Sequence, residues 1–354
     1  MNPSLPDTDT NDGQRIEGRG GIEGFIRRRF LLGVAFGVLI TAVFIAVNDG
    51  SKVLNSLHVF DWRLVPLILV LSLLNYLLRF AKWHLYLGSV GAGPIRKTTS
   101  FVIFFAGLAM AITPGKVGEL LKPYLVRRVN GTPLATTTPV IFAERATDGI
   151  AILVLAAVGL LQIRYGWVLL VGLIFGFIGF VGVSQHRALV EALLRRFEGV
   201  ALIGRRMEAI ERVYESTWRM FHPGPLAIAT VISIVSWAGE CLAFFLVMLG
   251  LGFPASWHLL FAAASALALA TMIGALSLLP GGLGAAELSA TGLLVLFVGS
   301  SQIDHETAAT ATLLIRFATF WFGIALGLIA LASSEWFLKR FEAPANDEPS
   351  VRRD

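Results

Sequence analysis

Eight apolar runs of roughly membrane-spanning length follow one another along this chain. They are Phe30–Val47, Leu64–Phe80, Val140–Ile163, Trp167–Val183, Leu226–Leu249, Leu259–Leu279, Gly284–Gly299 and Ala308–Ala332. Crossing a hydrocarbon core about 30 Å thick takes roughly 20 apolar residues in a helix. Inside lipid every backbone N–H and C=O needs an internal partner, so runs of this kind fold as helices. Composition agrees, since only 15% of the 354 residues are charged and 55% are hydrophobic. A soluble domain carries roughly 25% charge. The expected fold is an all-α integral membrane protein, a polytopic bundle of about six to eight transmembrane helices.

Charge placement sets the expected topology. Arg27, Arg28 and Arg29 precede the first run, and Arg79, Lys82, Arg96 and Lys97 follow the second. Arg187, Arg195, Arg196, Arg205, Arg206, Arg212 and Arg219 crowd the middle, and Lys339 and Arg340 close the last run. The alternate loops are poor in Lys and Arg, so the positive-inside rule puts both termini and the central loop in the cytoplasm of a plasma-membrane protein. The same placement accounts for the net charge of +5 and argues against nucleic-acid binding. One cysteine, Cys241 in an apolar stretch, excludes a disulfide framework.

The expected organisation is a disordered cytoplasmic tail over 1–24, a membrane domain over 25–335 and a second tail over 336–354. Within the membrane domain, 60–185 and 223–335 form two halves joined by an elbow at 186–222. In the elbow Met207, Ile210, Tyr214, Thr217 and Phe221 recur at spacings of three and four, which describes an amphipathic helix at the inner leaflet.

Each half contains an interrupted apolar segment. One reads Thr113-Pro114-Gly115-Lys116-Val117-Gly118-Glu119, and the other Leu279-Pro280-Gly281-Gly282-Leu283-Gly284-Ala285-Ala286-Glu287. Paired Pro/Gly-interrupted segments in two halves point to a transport site built on an inverted repeat. Phe101–Ile112 is too short to cross and has basic flanks, so the first break is read as a re-entrant hairpin. The second is either two spans or a longer hairpin. Arg145 lies 26 residues after Glu119 and Arg316 lies 29 after Glu287, a sparse echo of the repeat.

Chemistry concentrates at these breaks. A helix that begins after Pro114-Gly115 points unpaired N–H groups at a cavity and favours anions, phosphate above all. Lys116 and Lys122 add charge, and Glu119, three residues from each, is placed to hold both. Glu144, Arg145 and Asp148 form a second cluster, with Glu144 and Asp148 at i,i+4 and Arg145 at i,i+3 from Asp148. Buried charges of this kind line a polar path, or else lock the helix to the first hairpin. The backbone around Gly281 and Gly282 offers an anion nest, or alternatively close packing through small residues. Glu287 is the expected partner of Arg316. Arg79, Lys82, Trp83 and Glu240 read as interfacial anchors or helix locks. No metal-ligand spacing, no phosphate-loop motif and no nucleophile beside the carboxylates stands out, so neither enzyme activity nor a metal or cofactor is expected.

The ordered set Thr113-Pro114-Gly115-Lys116-Val117-Gly118-Glu119 with Lys122, Glu144-Arg145-Ala146-Thr147-Asp148, and Pro280-Gly281-Gly282-Leu283-Gly284 with Glu287 resembles the flippase-like membrane domain of lysylphosphatidylglycerol synthases. The resemblance spans about residues 30–335. It implies an inverted-repeat helical fold with re-entrant hairpins and, in the two-domain synthases, movement of an aminoacylated phospholipid between leaflets. The sequence stops at Asp354 without a segment resembling the tRNA-dependent transfer domain, so synthase activity is not expected. The expected function is translocation of a phospholipid or polyprenyl-phosphate-linked lipid, bound by its anionic headgroup or lipid phosphate. The alternative is a non-transporting scaffold for a lipid-modifying or glycosyl-transfer enzyme of envelope synthesis. The residues expected at the headgroup are Pro114, Gly115, Lys116, Glu119, Lys122, Glu144, Arg145, Asp148, Gly281, Gly282, Glu287 and Arg316.

Overall fold

A computed structural model of the chain describes residues 31–113, 118–162, 165–186 and 207–341. Pro114, Gly115 and Lys116, the tail over 1–24, most of the tail over 336–354, and the elbow over 187–206 lie outside the described residues. Among the described residues every regular element is helical. Six stretches are long and apolar enough to cross a membrane, or seven if the bent first pair is one span. The protein is an all-α polytopic membrane protein.

Helix α1 (Leu31–Val47) meets α2 (Gly50–Val59) at a bend of 93°. Phe44 and Val53 pack there against Ala309 and Leu313. A turn capped by Asp61 leads into α3 (Val65–Ser89), whose Pro66 lies in its first turn, where the missing N–H is not needed. Next come α4 (Lys97–Ala109) with a tight final turn Met110–Ile112, the first break, and α5 (Leu121–Asn130). Helices α6 (Leu134–Gln162) and α7 (Gly166–Gln185) complete the first half.

The elbow's described part is α8 (Met207–Met220), followed by α9 (Pro223–Gly250). It is amphipathic as its spacing predicts. Met220 and Phe221 are buried while Glu208, Glu211 and Arg212 face out. The second half continues with α10 (Trp257–Leu276), the tight turn Pro280–Gly282, and α11 (Ala285–Val298). Helix α12 (His305–Arg316) passes through one π-helical stretch, Phe317–Trp321, into α13 (Phe322–Phe341).

Two cores organise the bundle. Phe244, Met248, Leu267, Leu294 and Ile315 belong to the core around α9 to α12. Trp83, Tyr86, Phe104, Val126 and Met220 belong to the core around α3, α4, α5 and α8. Outward residues such as Val168, Phe175 and Ile178 of α7 remain exposed, as a lipid-facing surface requires.

The first hairpin forms as expected. α4 with its last turn is shorter than a span, and the chain returns as α5 packed on α4. At the second break each arm has the length and hydropathy of a span, and α10 packs along α11. The hairpins meet at their tips, where Ile112 of the first shares a cluster with Leu283 of the second and Ile324. Their arms pack elsewhere, α4 on α13 and α10 on α6.

The second tip depends on glycine. Gly282 has φ +66°, and a Cβ there would lie 2.9 Å from the Gly274 carbonyl oxygen. Gly282→Ala is therefore expected to lower stability by about 1–3 kcal/mol, read as thermal unfolding in detergent. Gly292→Ala, where the added methyl meets nothing within 4 Å, should leave the transition unchanged or raise it slightly. Equal behaviour of the two would contradict the tight tip.

Candidate functional site

Side chains stitch both breaks. At the first, the Thr113 hydroxyl donates to the Met110 carbonyl at 2.7 Å and accepts from the Gly118 N–H at 2.9 Å. At the second, Glu287 Oε2 accepts from the Gly284 N–H at 2.6 Å, in the manner of a capping box. Arg316 Nε then lies 2.5 Å from Glu287 Oε1, and Nη2 donates to the Gly281 carbonyl at 3.1 Å. The first break carries a parallel pair, Arg145 Nε 3.3 Å from Glu119 Oε2. In both halves, then, the glutamate after the break pairs with an arginine on a later helix. Glu287 meets Arg316 as its sequence position suggests.

The remaining charges tie α6 to its neighbours. Lys82, wholly buried, donates to Asp148 Oδ1 at 2.5 Å, to Ser233 Oγ at 2.7 Å and to Thr147 Oγ1 at 3.2 Å. It is a lock between α3, α6 and α9. Lys122 Nζ lies 2.5 Å from Glu144 Oε2 and 4.5 Å from the centre of the Trp83 ring. The carboxylate shown against Lys122 is therefore Glu144 of α6. The Lys122 stem passes over Gly107, where a Cβ would come within 2.6 Å, and this route turns the ammonium toward α6. Arg145 Nη1 lies 3.7 Å and Arg79 Nε 3.9 Å from Asp148 Oδ2.

These groups surround a cavity of about 190 Å³ at the junction of the two cores. Arg79, Lys122, Arg145 and Arg316 line it, with Glu119 and Glu240. Gly281 of the second tip and Ala111 of the first contribute to the same wall. Glu144, Asp148 and Glu287 pair with the cations but do not line the cavity, so its surface is richer in cations than in carboxylates. Arg79 Nε and Trp237 Nε1 are buried donors with no hydrogen-bond acceptor among the described residues. Buried donors without partners are costly, about 1–3 kcal/mol each. Their position suits a ligand that supplies acceptors.

Three further expectations change. Gly282 does not offer a free N–H to an anion nest. The N–H groups of Gly282 and Leu283 donate to the Leu279 and Pro280 carbonyls at 2.9 and 3.1 Å, and that of Gly284 goes to Glu287. Small-residue packing is what the tip uses, with Gly282 against Gly274. Glu144 and Asp148 stand behind the cations rather than on the cavity wall. Arg79 and Glu240 are not interfacial anchors, because they line the cavity with Tyr76 and Trp237. The available signal was depth: Glu240 falls well inside the span Pro223–Gly250, and Arg79 well inside Trp62–Ser89.

Residues 30–327 match the model of the lysylphosphatidylglycerol synthase TM region. Among curated proteins, a UPF0104 membrane protein of Methanothermobacter thermautotrophicus is 27% identical, over 83% of this chain and 90% of its own. A second from the same organism is 24% identical over 84% and 93%. A UPF0104 membrane protein of Methanocaldococcus jannaschii is 22% identical over 62% and 91%.

Proposed function

The chain belongs to the lysylphosphatidylglycerol synthase TM-region family, and from that premise we propose that it is a lipid translocase. It carries a phospholipid or polyprenyl-phosphate-linked lipid between leaflets by holding the phosphate-bearing headgroup in the cavity between the two tips. The observation that carries this reading is the lining: four cations face one space, three of their counter-carboxylates stand behind them, and two buried N–H donors lack acceptors among the described residues. A phosphate supplies several strong acceptor oxygens, and arginine's planar fork matches them two at a time. Acyl chains stay in the surrounding lipid while the headgroup crosses along a protein-lined path, avoiding the cost of bare charge in hydrocarbon. Glu119 and Glu287 orient the arginines on either side of the junction, so tip movements reposition cations belonging to both halves.

Reconstitution tests it. Phosphatidylcholine vesicles containing a trace of fluorescent phosphatidylglycerol, and separately of a fluorescent polyprenyl phosphate, are treated with dithionite, which bleaches the outer leaflet. With the protein present, inner-leaflet probe of at least one type should be bleached at least tenfold faster than in protein-free vesicles, about 1.4 kcal/mol off the crossing barrier. Rates equal to those of empty vesicles for both probes would overturn the reading.

A further inference from the structure

Glu240 is buried at 6% exposure, lines the cavity, and has no hydrogen-bond or ion-pair partner among the described residues. Every other carboxylate of the central cluster is paired with a cation: Glu119 with Arg145, Glu144 with Lys122, Asp148 with Lys82, and Glu287 with Arg316. An unpartnered carboxyl at this depth is not needed to lock helices, and an intramembrane ionisable group of this kind is a proton-relay candidate.

The charge inventory indicates what it does. Among the described residues the cluster holds five cations, Arg79, Lys82, Lys122, Arg145 and Arg316. It holds five carboxyls, Glu119, Glu144, Asp148, Glu240 and Glu287. With every group ionised that set is neutral. A phosphodiester entering the cavity adds one negative charge in a low-dielectric space, where uncompensated charge is expensive. One proton delivered to Glu240 restores neutrality and stops its carboxylate from competing with the phosphate for the arginines.

Resting on the headgroup reading above, we propose that Glu240 is a proton-binding site whose occupancy is coupled to that of the cavity, so that lipid phosphate and proton enter together and leave together. The charged and titratable groups facing it are Tyr76 and Arg79 from α3, Asp148 from α6 and Arg316 from α12, with Cys241 beside it on α9. No titratable side chain of α10 lines the cavity. Arg63, in the turn before α3, and Arg212 and Arg219 of α8 are exposed and do not line it. The fixed cations can serve phosphate in either state, leaving Glu240 as the group whose charge has to change. By linkage, whatever proton affinity the anion confers on Glu240, a proton on Glu240 confers on the anion. A transmembrane proton gradient then drives lipid movement without any nucleotide site.

The test uses the full chain in phosphatidylcholine nanodiscs and the soluble probe dihexanoyl-phosphatidylglycerol, whose phosphodiester stays ionised near neutral pH. Binding is measured by equilibrium dialysis of labelled probe, and proton uptake by an indicator dye in weakly buffered solution. At a pH where Glu240 of the free protein is ionised, wild type is expected to take up close to one proton per probe bound. In Glu240→Gln the uptake per bound probe should fall close to zero, whatever its affinity. Binding by wild type without uptake would overturn the coupling, and this needs no variant to fold. Equal uptake per bound probe in wild type and Glu240→Gln would also overturn it. Absence of any binding to wild type would remove the headgroup reading and the coupling with it.

Discussion

Asp148→Ala is expected to cost about 3–5 kcal/mol of stability, because it strands a buried cation. Lys82 is wholly buried, and Asp148 is its carboxylate partner at 2.5 Å. Ser233 also donates to Asp148 at 3.1 Å, so the same substitution loosens α9 from α6. What remains around the ammonium is the Thr147 and Ser233 hydroxyls and the Glu144 carbonyl, none of which carries charge. Thermal unfolding in detergent would measure the loss. Lys82→Met with Asp148→Leu should recover the part owed to Lys82, since replacing both members of a buried pair by apolar residues is far milder than removing one, while Arg145 and Arg79 still lose the Asp148 carboxylate. An unchanged transition for Asp148→Ala would mean that the three-helix lock contributes nothing.

Arg79→Ala should have the opposite profile, with a small effect on folding and a large one on the ligand. Among the described residues its Nε has no hydrogen-bond acceptor, and its ion-pair partner is Asp148 at 3.9 Å, which keeps Lys82 as its principal partner. Truncating one member of a buried, hydrogen-bonded charge pair costs about 2–5 kcal/mol in binding. Affinity for dihexanoyl-phosphatidylglycerol in nanodiscs should accordingly fall at least roughly 30-fold. Arg79→Lys should restore only part of it, because a point charge cannot reproduce the guanidinium fork. An Arg79→Ala protein that binds like wild type would remove Arg79 from the site.

The contrast between these two residues explains how much was legible in the sequence. Apolar runs announce helices because lipid leaves few other solutions, and the shortness of Phe101–Ile112 between basic flanks predicts the first hairpin. The Arg145–Asp148 pair follows from helical spacing, and Arg316–Glu287 from the scarcity of other acids nearby. Which carboxylate Lys122 would choose was not legible, since the answer depends on the missing side chain of Gly107 and on the Trp83 ring beneath the ammonium. Nor did the string Pro280-Gly281-Gly282 reveal that the Gly282 and Leu283 N–H groups are spent within the turn, which is decided by positive φ at successive glycines. Arg79 and Glu240 were undervalued because a lone charge in an apolar run reads the same whether it anchors a helix end or lines a cavity. Their depth within the span tells the two apart, which the run Leu226–Leu249 already showed for Glu240 and only the helix end at Ser89 shows for Arg79.

Occupancy of the cavity between the two tips by a phosphate-bearing lipid headgroup is read out by lipid mass spectrometry of the purified protein. Wild type should retain a phosphate-bearing lipid in near-stoichiometric amount after detergent washing. Arg145→Ala, which opens the cavity wall on α6 while leaving the Lys82–Asp148 lock in place, should retain at least tenfold less. Wild type stripped of such lipid, or an Arg145→Ala protein retaining the same lipid in the same amount, would contradict the account.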